Sequence, residues 1–218
     1  MIKENIQAIL KKLPSGVELV ASTKDRTILE IEEAISGGVK IIGENYLKEA
    51  QTKFEALTGK VKWHFIGHLQ RNKARLAVKI FDMIETLDSL KLAEVLNQEA
   101  ERIDRVMPVL IEINSSAEPQ KSGLRLEEAE GFLKSILHFD NLRPMGLMTM
   151  GPWLDDPQKL RPYFRKTKDL FDKIKTEYSG KLEWRYLSMG MSQSYEVAIE
   201  EKANIVRVGT AIFGKRAR

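Results

Sequence analysis

Short runs of consecutive apolar residues recur along this chain, separated by longer stretches in which apolar positions return every three or four residues. A short apolar run reads as a strand buried on both faces, and the longer spacing reads as an amphipathic helix. Strands are predicted at Glu18–Thr23, Lys40–Ile42, Val61–Ile66, Met83–Thr86, Val106–Asn114, Pro144–Met150, Trp184–Ser188 and Asn204–Val208. Ile28, Ile31, Ala34 and Ile35 form one helical stripe, which Gly37-Gly38 stops. Further stripes fall near Tyr46–Leu57, Asn72–Lys79, Leu90–Arg102, Leu126–Leu137, Leu160–Tyr178 and Ser194–Glu201, and Ile2–Leu13 reads as an extra helix covering one end.

Eight strand–helix units in series, with strands as uniformly apolar as Val109-Leu110-Ile111, predict an α/β protein with a closed parallel (β/α)8 TIM barrel. An open doubly wound sheet is the alternative. The 218 residues fit one domain, 1–218, and no repeat or linker divides them. Function in a barrel sits at the C-terminal strand ends. Those ends carry Lys24, Gly43-Glu44-Asn45, His64 with Gly67-His68-Leu69-Gln70, Thr86 and Asp88, Asn114, Met148-Thr149, Ser188-Met189-Gly190-Met191-Ser192, and Arg207 with Gly209-Thr210.

Composition narrows the chemistry. Hydrophobic residues at 43% and charged residues at 30% match an ordinary folded domain. With no cysteine, disulfides and thiolate metal sites are excluded, and three scattered histidines argue against structural zinc. No apolar run approaches the roughly 18–20 residues of a membrane span, and the N-terminus lacks a signal-peptide core, so the expectation is a cytoplasmic protein with no membrane partner. The net charge of +4 comes from 35 basic residues interleaved with 31 acidic ones, and the terminal cluster Lys215-Arg216-Ala217-Arg218 is short. Nucleic acid is therefore not expected as a partner.

The two ends of the chain carry complementary chemistry. Val206-Arg207-Val208-Gly209-Thr210 runs a strand into a Gly-Thr turn, which can aim backbone N–H groups and a hydroxyl at a phosphate. Leu19-Val20-Ala21-Ser22-Thr23-Lys24 ends a strand on an amine. Brought together, they suggest a site for pyridoxal 5′-phosphate (PLP).

At this point the chain resembles the YggS/PROSC family of pyridoxal-phosphate homeostasis proteins, relatives of the alanine racemase N-terminal barrel. The resemblance runs through the strand ending in Lys24, Gly43-Glu44-Asn45-Tyr46, the stretch from Trp63 to Lys73 (WHFIGHLQRNK), Lys121-Ser122-Gly123, Gly146-Leu147-Met148, Leu187 to Ser192 (LSMGMS), and Arg207 to Gly214 (RVGTAIFG). It implies a PLP fold-type III barrel with Lys24 holding the cofactor as a Schiff base. It also implies that Met191, Ser192, Gly209 and Thr210 hold the phosphate and that Arg207 faces the pyridine nitrogen. Asn45 would line the pocket, and Met148 would pack against the ring.

Each position has a structural alternative. Lys24 could extend to solvent, Gly209-Thr210 could be a turn and helix cap, Asn45 a helix N-cap, Arg207 one half of a buried ion pair, Met148 a core residue, and His64 a structural histidine. One departure stands out. The family reads Ser-Lys-Thr-Lys-Pro where this chain has Thr23-Lys24-Asp25-Arg26-Thr27, so the second lysine and the proline are replaced.

The resemblance implies a PLP carrier in vitamin B6 homeostasis, without robust catalysis. Racemisation needs two bases, and in the racemases the second is a tyrosine from a β-domain that follows the barrel. This sequence ends soon after Arg207, and Tyr195 is the nearest tyrosine in sequence to the phosphate loop. A weak amino-acid racemase or lyase is the rival reading. PLP-dependent apoenzymes or a regulatory protein are the partners implied, and a monomer is expected.

Overall fold

A computed structural model describes residues 1–215; Arg216, Ala217 and Arg218 of the terminal basic cluster lie outside the described residues. Helix α1 (Ile2–Lys12) precedes β1 (Glu18–Ser22), and then strands and helices alternate: α2 (Ile28–Ser36), β2 (Ile41–Glu44), α3 (Leu47–Leu57), β3 (Lys62–Phe65), α4 (Ala74–Ile80), β4 (Met83–Leu87), α5 (Leu90–Glu101) and β5 (Met107–Glu112). The second half continues with α6 (Ala129–Ile136), β6 (Leu142–Met148), α7 (Arg161–Glu177), β7 (Tyr186–Ser188), α8 (Tyr195–Glu200), β8 (Ile205–Val208) and α9 (Thr210–Phe213). Short 3-10 turns lead into α4, α6 and α7.

The sheet closes. Each strand pairs in parallel with the next, and β1 pairs with β8 through Val20–Arg207 and Ala21–Val208, so the open-sheet alternative is excluded. All eight predicted strands are present, with shifted ends. The second runs on through Gly43 and Glu44, and the fifth stops at Glu112 rather than Asn114. Closure also sets the first and last strands side by side, as the reading of the two chain ends required.

Two apolar layers follow from strand alternation. Outward side chains such as Phe65, Ile84 and Val109 meet the helices around Phe81, Leu96 and Phe164. Inward ones, Val20, Ile41, Ile66, Met83, Leu110, Met145, Met148 and Ile205, fill the bore. Met148 is completely buried there, which is the core alternative for that residue. No helix among the described residues is long and apolar enough to cross a membrane, and no cluster of His, Asp and Glu among them could hold a metal.

Candidate functional site at the barrel mouth

Lys24 sits in the turn that follows β1, and its backbone is held from α3. Thr23 is fully buried; its N–H donates to the Gly43 carbonyl at 2.9 Å and its hydroxyl to Glu44 Oε1 at 2.7 Å. Lys53, reaching in from α3, donates to the Thr23 carbonyl at 2.9 Å and to Glu44 Oε1 at 2.8 Å, while Glu49 Oε2 accepts from the Asp25 N–H at 2.9 Å. A buried ion pair thus fixes the peptide just before the candidate lysine. Burial pushes the Glu44 carboxyl above its ordinary range, against the pull of Lys53. Its second oxygen is buried without a partner.

The Lys24 side chain is partly buried. Its Nζ donates to the Tyr46 hydroxyl at 3.1 Å and lies 4.7 Å from the centre of the Tyr46 ring. That contact was not legible in the sequence, in which Tyr195 is the tyrosine nearest the Gly190–Ser192 loop. Tyr195 is buried and donates to Glu196 Oε1 at 3.2 Å. The residues that depart from the family pattern have local work. Thr27 caps α2 in a reciprocal capping box with Glu30, and the Arg26 guanidinium donates to the Phe213 and Gly214 carbonyls at 3.2 and 2.6 Å. Arg26 thereby ties the Lys24 loop to the helix that follows Gly209-Thr210.

The residues expected at a phosphate converge from the ends of β7 and β8. Ser192 Oγ accepts from the Gly209 N–H at 3.1 Å and the Ala211 N–H at 3.3 Å. Two backbone donors therefore already point at one oxygen, which is the donor set an anion needs. Met191 donates its N–H to Ser194 Oγ at 3.1 Å. Gly190 adopts φ +91° with its Cβ position only 2.6 Å from Ala198 Cβ, so only glycine lets this loop close over α8. Gly209, the N-cap of α9, has no side chain of its own to cap the helix, and Ser192 takes that place.

Arg207 points into the bore from β8 and is buried. It donates to Ser188 Oγ at 2.6 Å and to the Thr149 carbonyl at 2.9 Å, and its guanidinium lies 3.8 Å from Glu85 Oε2. The predicted ion-pair alternative is thus present in fact. Glu85 also accepts from Ser188 Oγ at 2.5 Å and contacts His64 Nδ1 at 2.7 Å. Burial raises the Glu85 pKa, but the bonds to His64 and Ser188 and the charge of Arg207 outweigh it and hold the carboxyl below its ordinary range. His64 is therefore a structural partner of Glu85.

Glu112 completes the inner ring. Burial first, and the charge of Asp88 second, push its carboxyl up to about 7 against the pull of Arg207, and Oε2 is buried without a hydrogen bond.

Asn45 follows β2 but does not cap α3; the cap position is Tyr46, with no side-chain bond. Instead its backbone packs against Gly67, whose Cβ would lie 2.2 Å from the Asn45 carbonyl. The bonds within the bore were missed by sequence reading, although a signal existed. Lys53 falls on the apolar stripe of its helix beside Ala50 and Leu57, and Glu85 is the one charge in a wholly buried strand. A charge on a buried face implies a buried partner.

The family model for the N-terminal domain of alanine racemase matches residues 1–217. A pyridoxal phosphate homeostasis protein of Aquifex aeolicus is 38% identical over 219 residues, spanning 99% of this chain and 95% of that one. The solved structure of PipY from Synechococcus elongatus without PLP superposes at a TM-score of 0.92 and 31% identity, over 98% of this chain and 100% of PipY. PipY with PLP bound superposes at 0.90 and 29% identity, with the same coverage. An alanine racemase of Clostridium difficile shares the fold at a TM-score of 0.79 and 14% identity, over 100% of this chain and 57% of the racemase.

Proposed function

The chain belongs to the alanine racemase N-terminal domain family, among its pyridoxal phosphate homeostasis proteins, and from that premise we propose that it binds PLP at the barrel mouth as a Schiff base on Lys24 and serves PLP homeostasis. The observation that carries this reading is the convergence of the Ser192 hydroxyl with the Gly209 and Ala211 N–H groups next to the strand that leads to Lys24. The donor set fits a phosphate and the amine fits an aldehyde.

Bound there, PLP supplies an aldehyde for imine formation and a ring able to absorb charge. Met191, Ser192, Gly209 and Thr210 would hold the phosphate and Asn45 would border the ring, while Met148, wholly enclosed in the bore, is left to the core. Arg207, held by Ser188, Thr149 and Glu85, is a permanent donor and disfavours a protonated ring nitrogen. That weakens the ring as an electron sink, which suits a carrier better than an enzyme. Racemisation further needs proton-transfer groups on both faces of the substrate carbon. Tyr46 bonds to Lys24 itself and so lies on the lysine's side.

A weak amino-acid racemase or lyase is the second reading. It is favoured by Glu112, a buried carboxyl that burial pushes up to about 7, on the strand opposite β1 in the barrel. Incubating the PLP-loaded protein with amino acids separates the two. The carrier reading predicts no sustained racemisation or elimination; turnover lost in both Lys24→Ala and Glu112→Gln would establish the enzyme. A single-domain, monomeric chain in the cytoplasm, passing PLP to apoenzymes or signalling its PLP state to a regulatory protein, completes the proposal.

A further inference from the structure

We infer that a groove beside the mouth is a second binding site, for a phosphorylated pyridine on its way to or from Lys24. The inference rests on the PLP reading of the mouth and gives a role to the WHFIGHLQRNK stretch, whose outer residues that reading leaves unused. The groove lies between the N-terminal halves of α3 and α4, encloses about 630 Å3, and falls within the range of small-molecule pockets. Its floor is apolar, formed by Phe65 and Leu47, and Tyr46 stands at its edge.

Charge decides what the groove takes. No aspartate or glutamate lines it, whereas Lys48 and Lys73 do, and neither ammonium has a hydrogen bond or ion pair among the described residues. The Gln70 side-chain amide is equally unengaged. Lys48 stands in the first turn of α3 and Lys73 at the N-cap of α4. Cations at those positions oppose the helix dipoles. A local rule broken twice in one groove, where the carboxylate of those first turns, Glu49, is turned away to Lys53 and the Asp25 N–H, is the mark of a place kept for an anion. An apolar floor beside paired cations suits a flat ring bearing a phosphate.

Lys24 joins the groove to the mouth. Its ammonium rests on Tyr46, 3.1 Å from the hydroxyl and 4.7 Å from the ring centre, so the same side chain that receives the aldehyde is stationed at the edge of the groove. Condensation there would form a C–N bond between Nζ and the aldehyde carbon, with the carbonyl oxygen leaving as water.

The test locks the mouth first. Protein loaded with PLP is reduced with borohydride, dialysed, and titrated with pyridoxine 5′-phosphate, which has no aldehyde, by equilibrium dialysis; inorganic phosphate is the parallel probe. One further equivalent of pyridoxine 5′-phosphate is expected to bind. The double variant Lys48→Gln, Lys73→Gln is expected to bind it at least tenfold more weakly while still loading Lys24 to the same final absorbance, more slowly. No second equivalent, or binding that the double variant leaves unchanged, overturns the groove. Binding of inorganic phosphate as tight as that of pyridoxine 5′-phosphate overturns the ring specificity. Should the wild type take up no reducible cofactor, the reading of the mouth fails instead, and the same titration of the unlocked protein decides the groove by its dependence on Lys48 and Lys73.

Discussion

The two faces of the barrel use lysine and arginine in opposite ways. At the N-terminal face, Lys40, Lys60, Lys62, Lys79 and Arg105 surround a cavity of about 480 Å3 beside Asp82. The C-terminal end of α4 meets this face, where cations are favourable. Arg105 donates to the Val78 and Phe81 carbonyls at 2.6 and 2.8 Å, which completes the end of α4, and Lys60 pairs with Glu32 at 2.9 Å. At the C-terminal face, Lys24, Lys48 and Lys73 lie where helices begin, and Lys48 and Lys73 have no counter-charge among the described residues. Arg105 and Lys60 stabilise the fold at one face, while Lys48 and Lys73 at the other spend stability that folding alone does not require. The same residue type is structural or functional according to which end of a helix it meets.

The largest blow to this comparison would come from the buried pair beneath Lys24. Lys53→Met leaves Glu44 buried and unpaired and is expected to cost about 3–5 kcal/mol of stability in denaturant unfolding, with slower PLP loading at temperatures where the variant stays folded. Loading at the wild-type rate would show that the pair does not aim Lys24.

The next effect is a pH dependence. The Glu112 pKa is raised to about 7 from 4.5, so the folded state holds a proton the unfolded chain releases. The stability it confers is present below pH 4.5 and lost as pH rises through 7, roughly 3 kcal/mol in all at 1.36 kcal/mol per unit. Glu44, also raised, acts in the same direction. Glu112→Gln is expected to flatten the fall in stability between pH 5 and 8; an unchanged slope would place the titration elsewhere.

Smallest is the change at the opposite face. Arg105→Ala removes two hydrogen bonds to helix-end carbonyls and is expected to cost about 1–3 kcal/mol without altering PLP loading. A loss of loading would break the division between the faces.

Strand number, closure and the rim residues were legible in the sequence because each depends on local pattern: apolar runs, glycine turns, polar residues at strand ends. The wiring inside the bore was not. Glu85 meets His64 across 21 positions and Ser188 across 103, and no periodicity carries such a pairing. Asn45 illustrates the same limit, since its place before a helical stripe suggested a cap, while the backbone turns one residue later and gives that position to Tyr46. Thr27 shows the converse. Its departure from the family pattern is visible in the sequence, and Glu30 three positions on marks the capping box that explains it.

The central claim is that Lys24 binds PLP covalently. Its most direct test is the visible absorbance of the purified chain with added PLP, beside Lys24→Ala, before and after borohydride reduction. A band that borohydride abolishes, present in the wild type and absent in Lys24→Ala, is the predicted result. The same reducible band persisting in Lys24→Ala, or no band in the wild type, would contradict it.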